Sequence, residues 1–351
     1  MAKKAGKNEE AFNYASELRS LKELGPERLY LLWGPEDYLR EQFLQQLKKR
    51  CLPEGEDDFS YKRIDGPALD PVKLRQAVDA MPFMTERTFV ELRDVDINRL
   101  SDPDSCAKLL SDLPDYCTVA FVQNAEFEPD GRLRFIKTLR SEGRELKFTR
   151  QSQGMLTDWI VRRFAAAGKS VDLAAAQRLI FISGDLMSRL IPEIEKIAAY
   201  AKGDKVTPED VEAVANHIPE AVVFEMTELI AQKKNNSAME VLAELLSDKN
   251  NEPIMMLAVL GKQMRQLYAA RLAVEKDLGT RYVMDVCAMK FDYIANKLIA
   301  AARGFTLSQL KRAVELCAET DYRMKSSGAD ARELLKETVL RIAAGEEHAP
   351  D

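Results

Sequence analysis

Residues 29–41 read Leu29-Tyr30-Leu31-Leu32-Trp33-Gly34-Pro35-Glu36-Asp37-Tyr38-Leu39-Arg40-Glu41, and this stretch decides the fold class. Five consecutive apolar residues stopping at Gly34-Pro35 have the length and composition of a strand buried on both faces. From Tyr38 to Arg50 the pattern changes: Leu39, Phe43 and Leu47 recur every four residues and line one face of a helix. A buried strand, a glycine turn and a helix in that order begin a parallel sheet, because parallel neighbours require a crossover of a dozen or more residues. Residues 60–65 (SYKRID), 88–92 (TFVEL), 118–123 (TVAFVQ) and 145–150 (ELKFTR) supply four further strand candidates, and a helix opens at Pro71 with proline in its first turn. The spacing predicts an α/β domain over residues 1–150 with right-handed crossovers.

Beyond Arg150 the strand signals stop and the chain reads as helix throughout. Leu156, Trp159, Ile160 and Phe164 have helical spacing, with Gly168 as terminator; Asp172 caps the next run, which Gly184 breaks. Leu186, Leu190, Ile194, Ile197 and Ala201 share one face, and Thr207-Pro208-Glu209-Asp210 combines a capping hydroxyl, a first-turn proline and an acid. This block closes near Ile218-Pro219. After it, a helix from Glu252 is expected to bury Ile254, Leu257, Gly261, Met264 and Tyr268, and Thr306 to Gln309 opens another with Leu307, Leu310, Val314 and Cys317 inward. The expected architecture is α/β plus all-α: an α/β domain (1–150), a small helical domain (151–219) and a larger helical domain (220–351).

Composition removes whole classes of function. The chain has 351 residues, 46% hydrophobic and 31% charged, with a net charge of −6, which argues against bulk electrostatic attraction to DNA. No apolar run approaches the roughly 20 residues of a membrane span, and the start, Met1-Ala2-Lys3-Lys4, is not followed by an export signal; a cytoplasmic protein is expected. Cys51, Cys106, Cys117, Cys287 and Cys317 are scattered and read as reduced core thiols. With only His217 and His348 present, triads and histidine-rich metal sites are not expected. No metal or other cofactor is expected.

The glycine turn after the first strand is where a phosphate-binding loop, G-x-x-x-x-G-K-[ST], would stand. Its glycines let the backbone wrap the phosphates, its lysine reaches the terminal ones, and its hydroxyl holds magnesium. Counted from Gly34, this chain puts Leu39 at the second glycine, Arg40 at the lysine and Glu41 at the hydroxyl, and it sets Glu36 and Asp37 inside the loop, where they repel a triphosphate. The position of a nucleotide site is present without its chemistry. Gly34 permits the turn, and Glu36 and Tyr38 brace it.

In this order, several segments resemble the delta subunit family of the bacterial DNA polymerase III holoenzyme. They are LYLLWGPEDYLRE (29–41), MPFMTERTFVEL (81–92), Trp159-Ile160, LIPEIEKIAAY (190–200), VTPEDV (206–211), Val223-Phe224, QMRQL (263–267), and Asp321 with Lys325 and Gly328. The matches run over residues 29–343, nearly the whole chain. The resemblance implies a clamp-loader subunit whose AAA+-like parallel-sheet domain has a degenerate loop and binds no nucleotide, followed by a helical lid and a C-terminal helical collar. It implies as partners the sliding clamp, the ATP-hydrolysing loader subunits of a hetero-oligomeric ring, and primer–template DNA. It also implies a subunit with no catalytic site of its own, working in the cytoplasm at replication forks. The clamp-binding element it implies is Met81, Pro82, Phe83 and Met84, four large or rigid apolar residues that fit neither helical nor strand alternation. Phe83 is the expected anchor, with Pro82 fixing the turn; the competing reading is ordinary packing between helix and sheet.

Other residues read more plainly as structure. Glu193 with Lys196 and Asp321 with Lys325 are helical neighbours worth a few tenths of a kcal/mol as surface pairs. Lys290, Lys297 and Arg303 could form a basic face but read better as solvated charge, and His217 as a partly buried or capping residue. Two rival functions stand beside the clamp loader. An active ATPase with an unusual loop predicts ATP binding that depends on Arg40, whereas a helical adaptor predicts no affinity for a sliding clamp.

Overall fold

Five strands form one parallel sheet in the order β2-β3-β4-β1-β5. The structure, a computed structural model, describes residues 13–53, 59–83 and 85–347. In chain order, the first part holds α1 (Tyr14–Leu24), β1 (Leu29–Trp33), α2 (Asp37–Cys51), β2 (Tyr61–Asp65), α3 (Pro71–Val78), β3 (Thr88–Arg93), α4 (Pro103–Ser111), β4 (Cys117–Val122), α5 (Arg134–Glu142) and β5 (Arg144–Lys147). Every residue of the interior strands β1 and β4 is buried, as their largely apolar runs require, and the Thr118 hydroxyl in β4 donates to Glu27 O. The edge strand β2 carries Lys62 and Arg63, exposed, which blunts an otherwise open row of backbone groups.

Alternate side chains of the sheet face two helical layers. Leu29, Leu31, Val90, Leu92, Val119 and Phe121 pack with Leu74 and Val78 of α3, Leu109 and Leu110 of α4, and Phe135, Ile136 and Leu139 of α5. On the other face Tyr30 meets Phe43 of α2 at 6.1 Å between ring centroids, and Phe43 meets Phe148 at 5.9 Å. The stripe Leu39, Phe43 and Leu47 is buried here. The register pairs Leu32 with Val122, Val122 with Arg93 and Arg93 with Asp65, so these residues form one row at the carboxyl ends of the strands. The β1–α2 turn emerges just beyond that row.

The chain divides into two compact units, one holding residues to Gln151 with Leu186–Ser188, the other Ser152–Asp185 and everything from Arg189. The remaining elements are α6 (Gln153–Ala166), β6 (Ser170–Val171), α7 (Leu173–Ser183), α8 (Met187–Tyr200), β7 (Lys205–Val206), α9 (Pro208–Val214), α10 (Pro219–Ala231), α11 (Asn235–Ser247), α12 (Pro253–Glu275), α13 (Gly279–Val286), α14 (Asp292–Ala302), α15 (Leu307–Ser326) and α16 (Ala331–Ala343). Asp172 caps α7 through the Ala175 amide, and Thr207 with Asp210 forms a reciprocal capping box on α9, as Thr306 with Gln309 does on α15.

Two expectations are corrected. Strands do not end at β5: Ser170–Val171 pairs in parallel with Lys205–Val206, and two-residue strands carry no periodicity to read. In α12 Ile254 is 40% exposed and Tyr268 only half-buried. The buried line runs instead through Pro253, Leu257, Leu260, Gly261, Met264 and Leu267, and Ile254 and Tyr268 lie to one side of it.

Candidate functional site

The turn after β1 has only three residues before α2 begins at Asp37. Gly34 lies at φ +114°, and a Cβ there would come within 2.6 Å of the Phe148 carbonyl oxygen, so both conformation and space demand glycine. The Glu36 amide donates to Phe148 O (3.0 Å) and the Asp37 amide to Pro35 O (3.1 Å). The N–H groups that would cradle a phosphate are thus turned onto carbonyls of the chain.

Because α2 starts so early, Leu39, Arg40 and Glu41 fall within its first turns instead of in a loop. Leu39 is buried in the core. Arg40 is buried as well, and its Nη1 donates to Gly34 O at 2.7 Å, closing the turn from inside. Burial lowers the Arg40 pKa, and the nearby Glu41 and Asp37 carboxylates oppose that shift. Glu36 is fully buried and Tyr38 half-buried beside the turn.

Glu41, at the position of a magnesium-holding hydroxyl, accepts both terminal nitrogens of Arg93 at 2.8 and 2.7 Å. Arg93 ends β3 and also donates through Nε to Glu91, which is completely buried beneath α2. Lys48 Nζ at 3.0 Å and Tyr61 OH at 2.9 Å complete the shell of Glu91. Burial alone would raise the Glu91 pKa, but bonds from Arg93, Lys48 and Tyr61 outweigh it and hold the group below the ordinary carboxylate value. Arg93 is raised, first by its bond to Glu41. Sequence reading missed Arg93, Glu91, Lys48 and Tyr61. The available signal was Glu91 itself, a carboxylate in the middle of the apolar run TFVEL.

The MPFM element sits at the opposite end of the sheet, in the loop that leads from α3 into β3. Met81 is 78% exposed and Phe83 59%, with Pro82 half-buried between them, so neither large side chain belongs to the core. Met84 lies outside the described residues. Phe59, just before β2, is 63% exposed and pairs with Phe83 at 5.5 Å between ring centroids. Sequence reading did not single it out, since one phenylalanine ahead of a short strand forms no pattern.

The remaining candidates separate by environment. Lys196 binds Glu193 at 2.7 Å, but Glu193 is buried and also accepts the Asn216 amide at 3.0 Å, so this is more than a surface pair. Asp321 and Lys325 form an exposed i,i+4 pair at 2.8 Å. Lys297 does not share a face with Lys290 and Arg303, which are exposed; its ammonium stands 4.4 Å from the Phe181 ring centre and 5.5 Å from that of Phe224, at a cavity of about 250 Å³. Burial, then the neighbouring Arg178 charge, lowers its pKa. His217 is partly buried with Nε2 3.6 Å from Glu212; His348 lies outside the described residues. The five cysteines are free, and burial pushes the Cys51 and Cys117 thiols up to about 11 and Cys317 up to about 12. Among the described residues no group of three or more His, Cys, Asp or Glu could hold a metal ion, and no helix is long and apolar enough to cross a membrane.

A five-stranded parallel sheet in this order, with a glycine turn from β1 into a helix and a predominantly helical unit after it, defines an α/β-plus-helical protein whose β1–α2 turn is closed by its own side chain. The family described as DNA polymerase III, delta subunit, matches residues 30–149, and its C-terminal domain matches 220–342, together about two thirds of the chain. The chain belongs to the DNA polymerase III delta subunit family. It is 24% identical over 337 residues to the DNA polymerase III subunit delta of Bacillus subtilis (strain 168), covering 92% of this chain and 95% of the relative. It is 23% identical over 325 residues to a probable DNA polymerase III subunit delta of Aquifex aeolicus (strain VF5), covering 89% and 90%. The solved structure of the Bacillus subtilis DNA clamp loader delta protein shares the fold, with a TM-score of 0.54 and 21% identity over 95% of this chain and all of that one.

Proposed function

We propose that this chain is a non-catalytic clamp-loader subunit that binds the sliding clamp and opens its ring for loading onto primed DNA. The observation that carries the reading is the exposure of Met81 and Phe83 on one loop of a chain in the delta subunit family. A phenylalanine and a methionine left in water beside a well-filled core gain by entering an apolar pocket on a partner. The anchor acts by differential binding: gripping a clamp interface more tightly in its open form shifts the ring toward that form.

In this reading the turn at Gly34, Leu39, Arg40 and Glu41 holds no nucleotide, because Leu39 is packed in the core, Arg40 is bonded to Gly34 O and Glu41 is paired with Arg93. The energy of the cycle comes from ATP-hydrolysing neighbours in a hetero-oligomeric ring, and this subunit contributes no active site. Residues 1–150 form the clamp-binding domain, 151–219 a lid and 220–351 the part that joins the collar. Primer–template DNA is met within the assembly, in the cytoplasm, at replication forks.

The test is a calorimetric titration of the full chain with the sliding clamp of the same organism, with Phe83→Ala beside the wild type. Truncating a buried aromatic anchor costs about 2 kcal/mol, so affinity should fall about 30-fold. A change of less than about threefold removes the anchor assignment. If neither protein binds, the titration is repeated with the loader ATPases and ATP; silence there ends the clamp-loader reading.

A further inference from the structure

We infer that Phe59 and Ser60, immediately before β2, are positioning residues that set the Phe83 anchor in its docking conformation; the inference rests on the clamp-docking reading above. The loops entering β2 and β3 lie side by side because the strands pair in parallel, Tyr61 opposite Phe89. The Phe89 amide donates to Ser60 O at 2.7 Å, which fixes the start of one strand on the other. From this base two contacts reach into the anchor loop.

The first is polar. Thr85 gives its hydroxyl proton to Arg87 O at 2.9 Å, so in the 2.8 Å contact between Ser60 Oγ and Thr85 Oγ1 the serine is the donor. Ser60 Oγ also lies 3.5 Å from Phe83 O. Ser60 is buried, so this chain of bonds is shielded from competing water. It ties Thr85 and Arg87, just after Phe83, to the neighbouring strand.

The second is aromatic. The Phe59 and Phe83 rings lie 5.5 Å apart at 51°, within the range of favourable tilted pairs. Both rings remain more than half exposed, so core packing explains neither. A lone exposed phenylalanine on a loop samples several rotamers and loses that freedom on docking; a neighbour that already restricts it lowers the entropic cost of binding. Phe59 therefore acts through Phe83.

The experiment is a double-mutant cycle by titration of the full chain with the sliding clamp. Phe59→Ala should weaken binding about fivefold, the factor that about 1 kcal/mol corresponds to. Phe59→Tyr, which keeps the ring, should restore wild-type affinity. In a Phe83→Ala background, Phe59→Ala should cause no further loss, because the residue through which it acts is gone. A neutral Phe59→Ala, a loss that persists in full in the Phe83→Ala background, or failure of Phe59→Tyr to rescue would each overturn the inference while leaving the docking reading intact. Loss of neither binding nor affinity in Phe83→Ala would instead remove the docking reading, and the inference with it. Amide exchange in the isolated chain gives an independent readout: Phe59→Ala should speed exchange at Thr85 and Glu86 without lowering the melting temperature.

Discussion

The two ends of one parallel sheet have been treated in opposite ways. At the carboxyl ends of the strands, where a nucleotide would sit in a working site, side chains close inward: Arg40 caps the Gly34 carbonyl and Glu41 pairs with Arg93, from which Glu91 carries the charge network along β3 to Lys48 and Tyr61. At the amino ends, apolar side chains that a soluble domain would ordinarily bury point outward, as Met81, Phe83 and Phe59 do. One end is closed by internal charge, and the other leaves apolar side chains in solvent. Substitutions at the first should change stability and leave partner binding alone, and substitutions at the second should do the reverse.

The largest effect is expected at Glu91. Glu91→Gln removes the carboxylate that neutralises Arg93 and Lys48, and breaking a buried ionic cluster in this way should cost about 3 kcal/mol in urea unfolding. A loss under about 1 kcal/mol would mean that solvent, not Glu91, compensates those cations. The pH dependence sharpens the test. The folded-state pKa of Glu91 is depressed, so its contribution is complete above the ordinary value of 4.5 and disappears as pH falls through the lower, folded-state value. The gap between wild type and Glu91→Gln should therefore be flat near neutral pH and close in acid; a gap that widened in acid would reverse the assigned direction.

Next comes Phe83→Ala, which should weaken clamp binding about 30-fold while shifting the melting temperature by less than about 2 °C. Gly34→Ala should destabilise by about 2 kcal/mol, because a Cβ meets the Phe148 carbonyl and the positive φ is strained; unchanged stability would show that the turn can relax. The smallest effect is expected at Asp321→Ala, since an exposed i,i+4 pair contributes only about 0.3–0.5 kcal/mol. A loss beyond about 1 kcal/mol would imply a role the pair does not show.

The same contrast explains what could be read from residues alone. Strands were legible because β1 is an uninterrupted apolar run and β3 and β4 are short, mostly apolar runs rich in Val and Phe, and α2 because Leu39, Phe43 and Leu47 repeat at helical spacing. The altered loop was legible as a mismatch at Leu39, Arg40 and Glu41 against a known pattern. What replaces the missing chemistry was not, because Glu41 and Arg93 are 52 residues apart and meet only through the crossover. Phe59 was hidden for the same reason, as were β6 and β7, whose two-residue strands are brought together by the helices between them. Local period carries backbone conformation; pairing across the sheet depends on topology.

The Arg40–Gly34 and Glu41–Arg93 bonds have a consequence in terms of thermodynamic linkage. A domain that binds a nucleotide draws part of its stability from that ligand, so its unfolding free energy rises and falls with ligand concentration. A domain whose loop is filled by covalently tethered groups has those groups at a fixed effective concentration. Its stability is then independent of the nucleotide concentration around it.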